Sequence, residues 1–430
     1  MESKKARCSI ETFDTIVERA MANYYLKLDL ENFQQAVRAV LTGRFPILTM
    51  QMQVEGDRRT FVPRGDWQVH DRMLTPQNES IFACLLVLSD SRPAEIADLI
   101  LPGQTIINLV VSRERIDSVQ ALVYCGKTLC RLDKITLVGP GMISMGPTRT
   151  ETQEPHTDSS RASRIVGFQG ASRGVWKEGT ILVVGSGSGG SCLAIQLAAL
   201  DPAGLVLVDP DIVKAHNLAN MPHASIADVR AKRRKVHLLG KHLHRNTPDL
   251  VVQSIPGRIQ DPKVVAYLKR RDLLAVFSFV DDLAGHLQSS RLANYLLVPH
   301  IAVGTLIQSA NRNRLTQQVD VRLFEPFRGC VRCVPNLPDA QLQEALYEMQ
   351  RPAGAMRRGV RRHWTDGGRV ASSLALNQIA AGLAVDLFAR YLRCEITTST
   401  WIRYISQGAA PQLVEESVGA DTRCSSCTSR

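Results

Sequence analysis

The clearest hydrophobic patterning in the chain is a pair of short apolar runs, Ile181-Leu182-Val183-Val184 and Leu205-Val206-Leu207-Val208. Each is too short for a helix and β-branched enough to predict a buried strand. Between them stands Gly185-Ser186-Gly187-Ser188-Gly189-Gly190-Ser191, then Cys192 to Leu200, with the small and apolar periodicity of a helix packed on a sheet. Strand, glycine turn, helix and strand open a nucleotide-binding βαβ unit. Glycines at Gly185, Gly187 and Gly190 permit the tight turn, the close backbone approach to phosphate and the close helix–sheet contact. The unpaired N–H groups at the helix start attract the anion. The second run ends on Asp209, about 20 residues past the glycines, where a carboxylate accepts hydrogen bonds from a ribose.

Further on, residues 227–245 read as one long basic helix, 250–254 as a strand, 262–269 as a helix and 273–279 as a buried strand. A helix over 284–297 and a strand over 300–303 complete a doubly wound, Rossmann-like α/β sheet. Beyond it the pattern predicts helices at 339–349 and 372–392 and a strand at 401–404. Before residue 150 it predicts helices at 11–25 and 28–41 and strands at 45–54, 80–88, 105–111, 121–124 and 135–138. The expected organisation is a smaller α/β domain over 1–150, a linker over 151–176 and the main domain over 177–430.

Composition changes this picture little. The chain has 430 residues, 44% hydrophobic and 22% charged, as in an ordinary globular protein of more than one domain. No apolar run reaches membrane-spanning length, and the first residues lack the pattern of a secretory signal, so no membrane role is expected. Ten cysteines, scattered except for two late pairs, fit a reducing, cytoplasmic setting. The net charge of +11 is concentrated in residues 230–245 and 351–369. Without interleaved aromatics or a nucleic-acid motif, these clusters predict a solvated face or an acidic partner, not specific nucleic-acid binding.

Chemistry narrows the class. Carboxylates at Asp281 and Asp282 end a buried strand and face the ligand crevice, although one of them can equally cap the next helix. Cys330-Val331-Arg332-Cys333 and Cys424-Ser425-Ser426-Cys427 together match a closed tetrahedral thiolate site for Zn²⁺. The run Val208-Asp209-Pro210-Asp211-Ile212-Val213 to Asn217-Leu218-Ala219-Asn220-Met221 resembles a signature of the ThiF/MoeB/ubiquitin-activating superfamily. Arg161-Ala162-Ser163-Arg164-Ile165, Lys235, Val280-Asp281-Asp282, Pro299 to Gly304 and the cysteine pairs match that superfamily in the same order. The similarity covers roughly 158–430.

It implies ATP-dependent adenylation of the C-terminal carboxylate of a ubiquitin-like or sulfur-carrier protein, or of a peptide. Asp209 would hold the ribose, together with Asp211 in the nucleotide site, and the Gly185–Gly190 turn would hold the phosphates. Lys235 would meet phosphate charge, Asp281 would hold Mg²⁺, and Asn217 and Asn220 would lie near the reacting phosphates. Arg164 would reach a phosphate across a homodimer interface, and the cysteine pairs would bind structural Zn²⁺. Residues 91–112 resemble the end of a JAB/MPN metalloprotease domain. The only histidine before residue 150 is His70, too few ligands for a hydrolytic zinc, which implies an inactive docking or dimerisation element.

Two departures matter. Asn220 and Met221 stand where the superfamily has arginine and glutamine, which removes a phosphate-neutralising charge unless Arg230 or Arg233 substitutes. The segment Gly367 to Ser373 has no cysteine, so no thioester nucleophile is expected there, and Cys394 reads as structural. An inactive scaffold that binds nucleotide or carrier and supports an active partner is therefore the alternative. NAD-dependent oxidoreduction shares only the glycine turn.

Overall fold

The computed structural model describes residues 23–41, 45–55, 58–63, 68–70, 82–88, 105–111, 119–125, 128–130, 134–140, 142–145, 165–311, 314–326, 328–334, 342–343, 345–346, 349, 372–407, 410–421, 424 and 427. The chain divides into two compact units, the first Met1–Leu137 with Met145–Thr152, the second Val138–Ser144 with Gln153–Arg430.

The first unit begins, among the described residues, with β1 (Asn23–Asp29), α1 (Leu30–Leu41), β2 (Phe45–Glu55), β3 (Arg58–Pro63) and β4 (Gln68–His70). It continues with β5 (Phe82–Leu88), β6 (Thr105–Val111), β7 (Val119–Cys125) and β8 (Thr128–Cys130), and β9 (Lys134–Val138) and β10 (Ile143–Met145) join the same sheet. The strand order is β10-β9-β1-β3-β2-β5-β6-β7-β8, with β4 paired to β2. The helix expected over 11–25 lies mostly outside the described residues, and its end is corrected. Residues 23–25 begin β1, which pairs in parallel with β3. Leu26 and Leu28 alternate into the core, and Asp29 ends the strand by accepting the Asn32 N–H at 2.9 Å, which starts α1.

The second unit opens with short helices α2 (Val166–Gln169) and α3 (Arg173–Glu178), within the stretch expected as linker. Trp176 is fully buried there, edge-on to Phe388 at 5.2 Å. Next come β11 (Thr180–Val184), α4 (Ser188–Ala199), β12 (Gly204–Val208), α5 (Ile226–Arg230) and α6 (Lys235–Asn246). They are followed by β13 (Val251–Ile255), α7 (Pro262–Lys269), β14 (Leu273–Ser278) and α8 (Leu283–Leu296). The last are β15 (His300–Asn311), β16 (Arg314–Phe324), α9 (Leu374–Leu392), β17 (Thr400–Ser406) and β18 (Pro411–Ser417).

The sheet order is β13-β12-β11-β14-β15-β16-β17-β18. From β13 to β15 neighbours run parallel, and from β15 to β18 they run antiparallel. The central strands are covered on both faces: Ile181, Leu182, Leu205, Leu207, Val276 and Phe277 are each 0% exposed. Burying each such side chain stabilises by about 1.5–3 kcal/mol. The small residues Ala380, Ala381 and Ala384, all at 0% exposure, let α9 lie close against the sheet and α4. Successive connections leave β11 in opposite directions, to β12 on one side and β14 on the other. That switch point opens a crevice at the carboxyl ends of β11 and β14.

Two expectations change in detail. The basic helix over 227–245 is broken into α5 and α6, with Lys232 in left-handed backbone at φ 49°. The residues between the helices pair instead with the segment after β12, through an isolated bridge from Ile212 to Arg234. The short strand at 300–303 is the start of a long hairpin, β15 to β16, in register from His300–Phe324 to Ser309–Leu315, with a shift before the last pair, Asn311–Arg314.

Beneath the crevice, Ser278, His286 and His300 are at 0–1% exposure. Ser278 Oγ is 2.7 Å from both His286 Nδ1 and His300 Nε2, and His286 Nε2 is 3.1 Å from Val280 O. The carbonyl can only accept, so His286 carries its proton on Nε2 and takes the Ser278 hydroxyl hydrogen on Nδ1. Ser278 then accepts from His300 Nε2–H, and both rings are neutral. Burial pulls His286 from 6.5 to about 4 and His300 well below the ordinary range. The unfolded chain binds protons near 6.5 that folded His286 refuses until about 4. This stability is therefore complete above pH 6.5 and is lost as pH falls through that window. The expected result is a melting temperature that falls more steeply between pH 7 and 4.5 in wild type than in His286→Leu, a difference on the order of 3 kcal/mol. Parallel pH profiles of the two proteins would exclude the network as the cause.

Candidate nucleotide site and cysteine cluster

The glycine turn leaves β11 at Gly185, whose φ of 98° suits glycine and whose added Cβ would lie 2.3 Å from Phe279 O. A Cβ at Gly190 would lie 1.9 Å from Gly185 O, so that glycine sets the contact between turn and helix. At Gly187 an added Cβ would meet nothing within 4 Å, which leaves open space at the start of α4. Gly189, which sequence reasoning passed over, lies against the Phe279 ring, with 2.3 Å to the nearest carbon from an added Cβ. The periodicity did not separate it from its neighbours, because its constraint comes from Phe279, just beyond β14.

Asp209 ends β12 at 8% exposure. Its Oδ2 accepts the Ser186 N–H at 2.7 Å and its Oδ1 the Asp211 N–H at 2.8 Å. Burial pushes the carboxyl up, against the Lys235 ammonium and these two N–H donors, which favour the charged form. The Lys235 ammonium pairs with Asp211 Oδ2 at 2.9 Å, and its backbone N–H reaches Asp211 O at 3.0 Å. Arg234 adds a bond to Pro210 O at 2.6 Å. The break between α5 and α6 therefore serves to bind the segment that carries both carboxylates.

Asn217 Oδ1 accepts the Lys214 N–H at 2.9 Å and caps its own helical turn, Ala215–Asn220. Asn220 Nδ2 donates to Ser372 O at 3.3 Å. Asp281 is exposed just beyond β14, and Asp282 caps α8 by accepting the Gly285 N–H at 2.6 Å. Of the basic residues considered as substitutes at 220, Arg233 is bound to Asp228 at 3.0 Å and Arg230 is exposed on α5. Arg164, Arg161 and residues 351–371 lie outside the described residues. Cys394 is exposed in left-handed backbone at φ 62° and ends α9, an arrangement that fits a capping position. A pocket of about 100 Å³ borders Asn220, walled by Cys192, Ile195, Pro222, His223 and Leu374.

Cys330 and Cys333, after β16, and Cys424 and Cys427, after β18, are gathered in one cluster. Three sulfur pairs are 3.8, 3.6 and 3.3 Å apart, and all four Sγ atoms lie within 4.8 Å of one another. A tetrahedral zinc with Zn–S near 2.3 Å sets its sulfurs roughly 3.8 Å apart, so the cluster fits that ion. Hydrogen bonding between Cys330 and Cys333 pushes Cys330 up to about 12 and Cys333 down to about 2. The bare cluster thus favours one thiolate, and holding four requires a divalent cation.

A parallel sheet with a glycine turn, an anion-facing helix start and an acidic residue at the next strand end defines a nucleotide-binding protein of Rossmann type. Residues 160–402 match the ThiF family, and the chain belongs to that family. No curated protein sequence matches it significantly. Among solved structures, E. coli MccB with ATP is 16% identical, with 64% of this chain and 75% of that one covered at a TM-score of 0.47. MccB in complex with N-formylated MccA is 16% identical over 63% and 75% of the two chains, TM-score 0.46. PaaA is 18% identical over 57% and 75%, TM-score 0.39. Among the described residues no helix is long and apolar enough to cross a membrane.

Protein purified without chelators is expected to carry about one Zn²⁺ per chain, measured by elemental analysis. Cys427→Ser should lose the metal and melt several degrees lower. Metal-free wild type of undiminished stability would exclude the site.

Proposed function

We propose that the chain activates a carboxylate by adenylation. The carboxylate oxygen attacks the α-phosphorus of ATP, the bond to the β-phosphate oxygen breaks, and pyrophosphate leaves with that electron pair. The observation that carries this reading is the convergence of glycine turn, Asp209, Asp211 and Lys235 at the carboxyl ends of β11 and β12 in a ThiF-family chain. Such a reaction depends on positioning and charge neutralisation more than on proton transfer.

The free N–H groups of α4 take phosphate oxygens. Asp209 has lone pairs left after its two backbone bonds and accepts from a ribose hydroxyl. Lys235, held by Asp211, supplies positive charge, and Asn217 keeps its Nδ2 donors for the triphosphate. Asp281, exposed at the carboxyl end of a central strand, suits Mg²⁺, which would neutralise the leaving pyrophosphate. The substrate is the C-terminal carboxylate of a ubiquitin-like carrier, a sulfur carrier or a peptide, and a homodimer supplies Arg164 of a second copy.

One observation favours the second reading, an inactive scaffold. Asn220 carries no charge, and its amide is engaged by Ser372 O at 3.3 Å. ATP–pyrophosphate exchange with candidate carriers decides between them. On the enzyme reading Asp281→Ala loses exchange by at least about a hundredfold, Lys235→Ala loses most of it, and Asn220→Arg keeps or raises it. Wild type inert with its own cognate carrier, while still binding ATP, would establish the scaffold.

A further inference from the structure

Asn377, in the first turn of α9, is 3% exposed. Its Nδ2 donates to Ser188 Oγ at 2.7 Å and to Ser372 Oγ at 3.2 Å, and its Oδ1 accepts from Thr305 Oγ1 at 3.1 Å. One buried amide thus joins the start of α4, the approach to α9 and strand β15. Both amide hydrogens are used. Ser188 Oγ accepts one of them and keeps its own hydroxyl hydrogen, which has no acceptor among the described residues.

Ser188 is half-buried and is the first residue of α4, beside Gly187, where an added Cβ would meet no atom within 4 Å. A hydroxyl held through its oxygen, with its hydrogen free to turn, adds a donor at the same helix start as the free N–H groups. Asn220 is tied to the same approach, since its amide holds Ser372 O. The amide that fixes Ser188 therefore also fixes the backbone that Asn220 binds.

We propose that Ser188 is a phosphate-binding residue and that Asn377 is its positioning residue. Together they supply the triphosphate with a neutral donor where the superfamily's arginine is replaced by Asn220. The inference rests on the nucleotide-binding part of the proposed function and not on the identity of the carboxylate substrate.

Calorimetry of the full chain with ATP·Mg²⁺ and with adenosine tests it. A hydrogen bond to a charged phosphate is worth about tenfold in affinity. Ser188→Ala should weaken ATP by about that factor and leave adenosine unchanged, and Ser188→Thr, which keeps the hydroxyl, should retain most ATP affinity. Asn377→Ala should weaken ATP similarly, and the double variant should be no worse than either alone. Asn377→Asp should be worse than Asn377→Ala, because the carboxylate takes the Ser188 hydrogen and adds negative charge beside the phosphates. If Asn377→Ala does not fold, the Ser188 pair decides alone. Equal losses for ATP and adenosine, or additive losses in the double variant, would overturn the inference and leave nucleotide binding intact. Wild type that binds no adenine nucleotide would overturn both.

Discussion

A buried carboxylate organises the second unit. Removing Asp209 from water costs several kcal/mol unless the charge is matched, and here two backbone N–H groups and a nearby ammonium match it. The Ser186 N–H fixes the middle of the glycine turn, so the turn's shape depends on the end of β12 and not on glycine content alone. The Asp211 N–H folds the next segment back, and Asp211 then captures Lys235 at the start of α6. Turn, strand end and helix start are three distant pieces of sequence that two neighbouring carboxylates, Asp209 and Asp211, hold in register.

The parts that could be read from sequence are those whose cause is local. The runs at 181–184 and 205–208 had to be buried strands because every residue is apolar, and the bounds found, Thr180–Val184 and Gly204–Val208, differ by one residue at one end. Helix Pro262–Lys269 carries its own start signal in Pro262 at its first position. The break between α5 and α6 was not legible, because Arg234 and Lys235 are good helix formers that are drawn into bonds with Pro210 and Asp211. Of the hairpin β15–β16 only the start, 300–303, was legible, for a related reason. Its polar alternation, Arg314 to Phe324, becomes a strand only against the partner that β15 provides.

The residues of the candidate site divide in the same way. Gly185, Gly190 and Asp209 announced themselves by type and spacing, and their contacts have a specific steric or hydrogen-bonding cause. Asn377 did not, because an asparagine near the start of an apolar helix looks like a local capping residue. Its partners Ser188 and Thr305 are far away in sequence, and three hydrogen bonds in space distinguish it. The neutral Ser278–His286–His300 network was hidden likewise, since three residues on β14, α8 and β15 meet only when the sheet order puts β14 beside β15.

Charge decides what the altered position at 220 means for the site. An arginine 4 Å from a phosphate contributes on the order of 4 kcal/mol at an effective dielectric of 20. A hydrogen bond from a neutral donor to a charged oxygen contributes about 1.5–3 kcal/mol. Two oriented neutral donors can therefore offset most of one lost guanidinium, provided their orientation is fixed before the ligand arrives. That orientation is what the buried Asn377 amide supplies to Ser188, and what the turn Ala215–Asn220 supplies to Asn217. Lys235 can add only part of its charge, because Asp211 already neutralises it at 2.9 Å. On the proposed function, a site built in this way relies on preorganised dipoles more than on net charge. Its affinity for phosphate should accordingly depend less on ionic strength than that of a site closed by an exposed arginine.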